Sequence, residues 1–281
     1  MSLRGQAAIV GIGEVPTRRS YPGRSTVSLM AEAARLALED AHLVKSDIDG
    51  LITNAGGGVN PTVLAEYMQM PVVFSDGVNS QGASGAQSIA IASSAILAGL
   101  ASTVLCVLGG SRTVGAGGAP GRSAGTEWEN PYGPGAATTA RYAILKQRHM
   151  YEFGTKDAQF ARMAVNQRFN ALKNPNSAFQ GQPISLDDVL NSRYVSEPIH
   201  LLETVMPCDG AAAAIVTSAA RAKSFANRPV YVLGASASAT RHDVLWQDPN
   251  MTTTPVAVTA RRAFEMAGYG PKDIQFAEFY D

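Results

Sequence analysis

Cysteine is scarce in this sequence: only Cys106 and Cys208 occur among its 281 residues. They do not form a Cys-x-x-Cys pair, so neither a zinc site nor a disulfide framework is indicated, and a reducing, cytoplasmic environment is expected. The chain also has four histidines without any metal-ligand spacing, namely His42, His149, His200 and His242. We therefore expect no metal and no covalently bound cofactor.

A surplus of charge of either sign is also missing. Lys and Arg together number 23, and Asp and Glu together number 23. An excess of basic residues is typical of nucleic-acid binding and a polybasic run of membrane-surface binding, so both classes are disfavoured. The start of the chain has no signal-peptide pattern, because Arg4 is followed by only a short apolar run over residues 7–12.

One long stretch, residues 77–111, contains no charged residue at all. A run of this length can be a transmembrane helix. Its Ser, Gly and Gln content is too polar for contact with lipid, and residues 84–100 fit a tightly packed helix. Residues 104–108 are β-branched and apolar, as in a buried strand. The sequence therefore predicts two buried elements and no membrane insertion.

Strand and helix patterns alternate along most of the chain. Strand patterns occur at residues 7–13, 50–53, 72–75, 104–108, 211–217, 230–235 and 274–279. Helical periodicity occurs at residues 27–41, 62–70, 84–100, 136–153, 157–172 and 255–267. Ser185 and Asp188 resemble a capping box that opens a short helix at Leu186. This alternation predicts an α/β fold with a mostly parallel sheet.

Residues 113–200 interrupt the alternation. A Gly- and Pro-rich segment over 114–135 is followed by amphipathic helices, which indicates a loop domain inserted into the sheet framework. Insertions of this length usually shape a binding site. We predict an N-terminal domain over residues 1–227 that contains this insertion, followed by the start of a second domain over residues 228–281.

A weak internal repeat relates the two ends of the chain. Shifting residues 33–52 by 226 positions aligns them with the last part of the chain, and Asp47 and Ile48 then match Asp273 and Ile274. Each copy reads as a helix, a turn and a strand, which favours duplication over two generic αβ units. The second copy stops soon after its strand, so we expect further chain or another polypeptide to complete it.

Four passages resemble the thiolase superfamily, closest to the sterol-carrier-protein-type thiolases and their lipid-transfer-protein relatives. They are VNSQGASGAQSIAIASSAILAGLASTVLCVLGG, RYAILKQRHMYEFGTKDAQFARMAVNQRFNALKNPNSAF, CDGAAAAIV and DIQFAEFYD. They resemble, in order, the nucleophile loop with its buried helix, the loop-domain helices, the DGAAA strand and the strand that carries NEAF or HDCF. The resemblance implies duplicated βαβαβαββ halves in a layered α-β-α-β-α arrangement, with the second half incomplete here, usually in a dimer.

Two positions depart from the thiolase pattern. Thiolases place a catalytic cysteine three residues before the helix-entry glycine, and here that position is Gly82, ahead of Gly85. Where thiolases have Asn or His at the start of NEAF or HDCF, this chain has Tyr280 followed by Asp281. Ordinary acyltransfer through a cysteine is therefore doubtful. Some lipid-transfer-protein relatives of the thiolases share both departures and cleave β-hydroxyacyl-CoA side chains by a retro-aldol reaction.

Other nucleophile and cofactor motifs are incomplete. Ser84 does not lie in a Gly-x-Ser-x-Gly elbow because residue 86 is alanine, and its expected role is to cap the helix. Gly11 and Gly13 begin a dinucleotide fingerprint that lacks the third glycine. Cys106 is expected in the core, and the carboxylate of Asp209 beside Cys208 disfavours a reactive thiol there.

The residues that would hold a coenzyme A thioester lie mainly in the loop domain. His149 lies among Arg141, Lys146 and Arg148, which is either a solvated helix face or a contact for CoA phosphates. We also expect Ser236 to contact the CoA thioester. The acyl-CoA enters as a substrate and not as a bound cofactor.

Tyr280 is the expected acid/base, because the resemblance places it at a strand end beside the vacated nucleophile position. Backbone amides near Gly82 and Ser84 would hold the enolate oxygen that forms when the Cα–Cβ bond breaks. The open alternatives are a cysteine-type acyltransferase and a non-catalytic thiolase-like scaffold or lipid-carrier subunit, with Tyr280 a core tyrosine. The resemblance also implies a homodimer and a small OB-fold, zinc-ribbon partner subunit.

Overall fold

The computed structural model describes residues 2–54, 59–110, 138–238 and 249–279. Contacts group the chain into two compact units. The first unit comprises Met1–Val114, Cys208–Ser238 and Val256–Asp281, and the second comprises Gly115–Pro207 and Ala239–Pro255. The division into a domain over residues 1–227, with 113–200 inserted, and a second domain over 228–281 stays a prediction.

The first unit contains most of the strands. Its elements are β1 (Ala7–Arg18), α1 (Thr26–Asp40), β2 (Gly50–Asn54), α2 (Pro61–Met68), β3 (Phe74–Val78), α3 (Ser84–Leu97) and β4 (Thr103–Gly110). The second unit contributes α4 (Thr138–Phe153), α5 (Asp157–Ala171), α6 (Leu186–Asn191), β5 (Tyr194–Ser196) and β6 (Ile199–His200). The first unit then continues with β7 (Asp209–Ser218), α7 (Ala219–Ala222), β8 (Val230–Tyr231) and α8 (Val256–Ala267).

Six strands of the first unit form one sheet in the order β3-β2-β4-β7-β1-β8. The pairs β2–β3 and β2–β4 are parallel, whereas β7 is antiparallel to both β4 and β1, and β8 is antiparallel to β1. The expectation of a mostly parallel sheet is therefore wrong, although β1 to β4 all run in one direction. β4 and β1 run parallel to each other but do not pair, because β7 lies between them and is antiparallel to both.

Helices cover both faces of this sheet. Alternate residues of the central strands join different cores: Leu105 and Val107 pack with α1 and α2, whereas Val104 and Cys106 pack with α3. Because side chains alternate across a strand, this division places α1 and α2 on one face and α3 on the other. The fold is thus α/β with helix–sheet–helix layers, as the sequence predicts.

Helix α3 is the buried helix expected near Ser84. Its serines are accommodated because their hydroxyls donate to backbone carbonyls, Ser88 to Gly85 at 2.7 Å and Ser93 to Ile89 at 2.7 Å. The neighbouring strand adds one more link, from Cys106 Sγ to the Ser88 carbonyl at 3.6 Å. The uncharged run is therefore a buried helix and strand, and no helix among the described residues is long and apolar enough to cross a membrane.

In each copy of the internal repeat, one glycine allows the helix to pack closely against the chain. A Cβ on Gly11 would lie 2.8 Å from the Ala37 carbonyl of α1, and a Cβ on Gly234 would lie 2.3 Å from the Ala263 carbonyl of α8. Ala37 and Ala263 are the residues that the 226-residue shift aligns. Both copies therefore bring a helix backbone against a glycine, which supports duplication.

The turn that follows the helix is also repeated. Each copy has a short 3-10 helix, Lys45–Asp47 in the first and Pro271–Asp273 in the second. Asp47 Oδ2 accepts the Val44 amide at 2.8 Å, and Asp273 Oδ2 accepts the Gly270 amide at 2.7 Å. The aspartate of the aligned Asp-Ile pair thus closes the same turn twice.

The second copy departs from prediction in its strands. β8 covers only two of the six residues expected at 230–235, and residues 274–279 form no strand. The side chains of Phe276 and Phe279 are 83% and 89% exposed. A strand requires a neighbouring strand to pair with, and within the described ranges none lies beside residues 274–279.

The capping box predicted in the second unit is confirmed. Ser185 Oγ accepts the Asp188 amide at 3.1 Å, and Asp188 Oδ2 accepts the Ser185 amide at 2.8 Å. The Ser185 hydroxyl also donates to Asp188 Oδ2 at 2.7 Å, and this bond, followed by the bond from the Ser185 amide, lowers the pKa of the Asp188 carboxyl. α6 accordingly begins at Leu186.

Candidate functional site

Gly82, the residue predicted to occupy the nucleophile position of thiolases, lies directly before α3. Gly82 is exposed and belongs to the 3-10 turn Gln81–Ala83, directly before the helix. The first-turn amides of a helix have no intrahelical acceptors, and the helix dipole adds positive potential there. Such a position favours negative charge on a ligand oxygen, while Gly82 supplies neither a thiol nor a hydroxyl.

Ser84 does not cap α3 as expected. The helix begins at Ser84 itself, and the cap residue is Ala83, whose side chain has no hydrogen-bonding group. Ser84 is buried, and its Oγ accepts the Ser80 amide at 3.0 Å. The Ser80 hydroxyl in turn donates to Gln87 Oε1. Ser84 therefore ties the preceding loop to the helix.

The thiol of Cys106 is not suited to carry an acyl group. Cys106 is fully buried in β4, and burial raises the pKa of its thiol to about 12. Cys208 is half-buried and precedes β7. Because the thiolate is the nucleophile, Cys106 is inert at neutral pH, as expected for a core residue.

Alkylation kinetics test this assignment. Relative to an ordinary value of 9.0, a pKa of about 12 leaves Cys106 with about a thousandfold less thiolate at pH 8, and burial blocks access besides. We expect iodoacetamide to modify Cys208 first in the native protein and Cys106 only after unfolding in urea. Peptide mapping by mass spectrometry distinguishes the two sites, and rapid modification of native Cys106 would contradict the assignment.

The predicted CoA-binding cations lie on α4 in the second unit. Arg148 is largely exposed and forms an ion pair with Glu152. Glu152 also accepts a hydrogen bond of 2.8 Å from Thr252 Oγ1, and these contacts, with Thr252 first, lower the pKa of the Glu152 carboxyl. Arg141 is half-buried. Arg148 is the more accessible of the two arginines, and its ion pair with Glu152 competes with an incoming phosphate.

His149 is half-buried and lies between two aromatic rings. Its ring centroid is 4.7 Å from that of Phe153 and 5.6 Å from that of Phe160. The Nδ1 atom is shielded from solvent and has no hydrogen-bond partner among the described residues. The environment is therefore not a fully solvated helix face, and Nδ1 itself is shielded from water and from an incoming ligand in this conformation.

Lys146 is not available to a CoA phosphate. Its side chain is only 7% exposed, and its Nζ is bonded to Glu203, Asp157 and the Pro198 carbonyl. Helical periodicity could have revealed this burial, because Lys146 lies three residues after the buried Ala143 on the same helix face.

Two hydrogen bonds between the Asn54 side chain and the Gly109 backbone form a clamp between two strand ends, which the sequence does not predict. Asn54 Nδ2 donates to the Gly109 carbonyl at 3.0 Å, and the Gly109 amide donates to Asn54 Oδ1 at 3.0 Å. The clamp joins the carboxyl ends of β2 and β4, the edge at which α/β sheets bind ligands. The 226-residue shift aligns Asn54 with Tyr280.

The other predicted site residues are distributed over both units or lie outside the described residues. Ser236 is half-buried in the segment after β8, in the first unit. Tyr280 lies outside the described residues. Gly82 and Ser84 belong to the first unit, whereas Arg141, Arg148 and His149 belong to the second. No three metal-binding side chains come together in the portions of the chain that the structure describes.

Comparisons with known proteins identify relatives along nearly the whole chain. Residues 237–281 match the family described as Thiolase C-terminal domain-like. The 17-hydroxy-3-oxo-4-pregnene-20-carboxyl-CoA lyase of Mycobacterium tuberculosis is 32% identical over 294 residues, covering 99% of this chain and 76% of the relative. The acetyl-CoA acetyltransferase of Methanocaldococcus jannaschii is 32% identical over 287 residues, covering 98% of this chain and 72% of the relative.

A solved structure is also similar to this chain over nearly its whole length. The Ltp2-ChsH2(DUF35) aldolase superposes with a TM-score of 0.89 at 30% identity, over 98% of this chain and 72% of that chain. The relatives are thus named for two chemistries, carbon–carbon cleavage and acetyl transfer. What separates these chemistries physically is the need for a cysteine thiolate in acyl transfer.

Proposed function

The chain belongs to the thiolase superfamily, and we propose that it is an enzyme that cleaves a carbon–carbon bond in a β-hydroxyacyl-CoA thioester by a retro-aldol reaction. The proposal rests on Gly82 in the turn directly before α3, the position at which the resemblance to thiolases predicts a nucleophilic cysteine. Retro-aldol cleavage needs no acyl-enzyme, so a glycine there is compatible with activity. The lyase and aldolase names of two similar proteins support the same reaction class.

Tyr280 is proposed as the group that moves the proton. A basic phenolate oxygen at this position removes the proton of the β-hydroxyl as the Cα–Cβ bond breaks. The electron pair of that bond passes into the thioester as an enolate, and the β-carbon leaves as a ketone or aldehyde. Protonation of the enolate at Cα then yields the shortened acyl-CoA and restores the base.

The start of α3 is proposed to stabilise the enolate. Amides of the first helical turn, near Gly82 and Ser84, are fixed donors that need no reorganisation when the oxygen becomes negative. The bond from Ser80 to Ser84 holds the loop that precedes them. On this reading Ser84 is a positioning residue and not a nucleophile.

The second unit and the segment after β8 are proposed to bind the CoA moiety. Arg141 and Arg148 are suited to its phosphates because guanidinium groups bind them in a bidentate manner. His149 is proposed to contact a polar group of the CoA moiety with its imidazole ring, although its Nδ1 atom is shielded from solvent in this conformation. Ser236 completes the proposed set, and CoA acts here as part of the substrate.

A product assay tests the function. A β-hydroxyacyl-CoA incubated with the protein and its assembly partner, without free CoA, is expected to give a carbonyl compound and a shortened acyl-CoA. A matched β-ketoacyl-CoA with free CoA reports thiolytic cleavage. Thiolysis without β-hydroxyacyl cleavage would favour the acyltransferase alternative, which the acetyltransferase relative motivates. Failure of both reactions would favour the non-catalytic subunit.

The assembly is also proposed. The name of the similar aldolase pairs two proteins, which supports a partner subunit for this chain, and we expect a small protein of the OB-fold, zinc-ribbon type. A homodimer in the cytoplasm is the expected state of the chain itself. Light scattering at micromolar concentration that showed only monomers would contradict the dimer.

A further inference from the structure

A buried lysine joins three segments of the second unit. Lys146 Nζ on α4 donates to the Pro198 carbonyl at 2.7 Å and to Glu203 Oε1 and Oε2 at 2.9 and 3.0 Å. It also lies 3.0 Å from Asp157 Oδ1 at the start of α5. Glu203 Oε2 accepts the His200 amide at 2.7 Å, which fixes the carboxylate in turn.

These contacts combine hydrogen bonds with an ion pair. The ammonium group donates to the Pro198 carbonyl and to the Glu203 carboxylate, whereas Asp157 Oδ1 lies at ion-pair distance without a hydrogen bond. Buried charges are retained only when they are paired and hydrogen-bonded in this way. Lys146 therefore fixes the spacing of α4 from the start of α5 and from the segment 198–203.

His149 shares this arrangement. It lies three residues after Lys146 on α4, so the two side chains are neighbours on the helix surface. The ring of Phe160, on α5, lies 5.0 Å from Lys146 Nζ and 5.6 Å from the His149 ring. A shift of α4 against α5 would move the aromatic wall against which His149 packs.

We propose that Lys146 is a positioning residue that holds His149 in place for contact with the CoA moiety. The inference rests on the CoA-binding role of His149 within the proposed function. Lys146 itself is not proposed to contact the substrate. We expect it to affect the affinity for CoA and not the proton transfer at the acyl chain.

The main test measures the affinity for CoA itself by calorimetry, using Lys146→Met, His149→Ala and the double variant. Each single variant is expected to weaken binding about tenfold, and the double variant no further than either single one. Additive losses would show that Lys146 acts independently of His149 and would overturn the proposal. An unchanged affinity of His149→Ala would also overturn it, whereas the product assay judges the retro-aldol function separately.

A second set of variants separates positioning from folding. Lys146→Met alone leaves the Glu203 carboxylate, whose side chain is 10% exposed, and the partly exposed Asp157 carboxylate without their cation. The triple variant Lys146→Met, Asp157→Asn, Glu203→Gln therefore removes all three charges together. Weak CoA binding by a triple variant that melts near the wild-type temperature is expected. Recovered affinity in that variant would overturn the proposal, because charge balance alone would then explain the loss.

NMR of the imidazole groups adds a readout independent of affinity. The chain has four histidines, and His149→Ala identifies the His149 signal by its loss. Lys146→Met is expected to shift that signal in the free protein while the signal of His42, which lies in the first unit, stays in place. An unmoved His149 signal would count against positioning.

Discussion

Replacing Tyr280 with phenylalanine should slow the cleavage of a β-hydroxyacyl-CoA by about 10²–10⁴-fold, the usual cost of losing a general base. Phenylalanine keeps the ring and its packing but removes the oxygen that carries the proton. Because substrate binding does not need that proton transfer, the loss should fall on kcat with little change in KM. Single-turnover measurements with the assembled protein, followed by product quantification, determine the effect.

A second tyrosine provides the matched control. Tyr269 lies in the same C-terminal region, is about half exposed, and packs its ring 5.8 Å from the Arg4 guanidinium. Tyr269→Phe makes the same chemical change at a tyrosine with no proposed role in the reaction and should leave turnover unchanged. Equal turnover of Tyr280→Phe and wild type, at equal thermal stability, would rule out the acid/base role and leave Tyr280 as a core tyrosine.

The parts of the fold that sequence reasoning predicts well are those with a local cause. The start of α3 at Ser84 and the strand around Cys106 follow from composition and periodicity within a few residues. The duplicated turn follows from Asp47 and Asp273, whose carboxylates each accept an amide three residues earlier. Such hydrogen bonds span one turn, so a short sequence pattern suffices to identify them.

The parts that it predicts poorly depend on contacts distant in the chain. The direction of β7 relative to β4 and β1 follows from how the chain returns to the sheet after the second unit, and no local pattern encodes it. Residues 274–279 have a strand-like composition, but composition does not supply a partner strand. Strand predictions therefore fail where pairing depends on another segment.

The candidate site also combines features that have a local cause with features that depend on contacts distant in the chain. The prediction of Gly82 rests on its offset to the helix-entry glycine, and helix entry at Ser84 is a local feature that the sequence predicts. The cationic group around His149 could not be assigned, because the cluster of Lys146 with Glu203 brings together residues 57 positions apart. A charged residue on a helix is usually exposed, so its burial is apparent only from the periodicity of its neighbours.

The largest effect on folding is expected where the sheet and α1 are in closest contact. A Cβ on Gly13 of β1 would lie 2.2 Å from the Ala33 carbonyl oxygen and 2.4 Å from the Ala37 amide nitrogen of α1. Both are backbone atoms, so no side chain can turn away, and the helix itself would have to move. Gly13→Ala should therefore lower the free energy of unfolding by about 3 kcal/mol, the upper range for overpacking.

Gly210→Ala is the matched control for that change, since it adds the same methyl group to β7 of the same sheet. Its nearest neighbour would be Thr17 Oγ1 at 3.5 Å, an ordinary contact, and replacing a strand glycine also reduces the entropy of the unfolded chain. We expect Gly210→Ala to be neutral or slightly stabilising. Urea unfolding compares the two variants through their midpoints at an unchanged slope. Equal midpoints for Gly13→Ala and wild type would mean that α1 does not lie this close to β1. The close packing of the helix that depends on glycine would then be wrong for the first copy of the repeat.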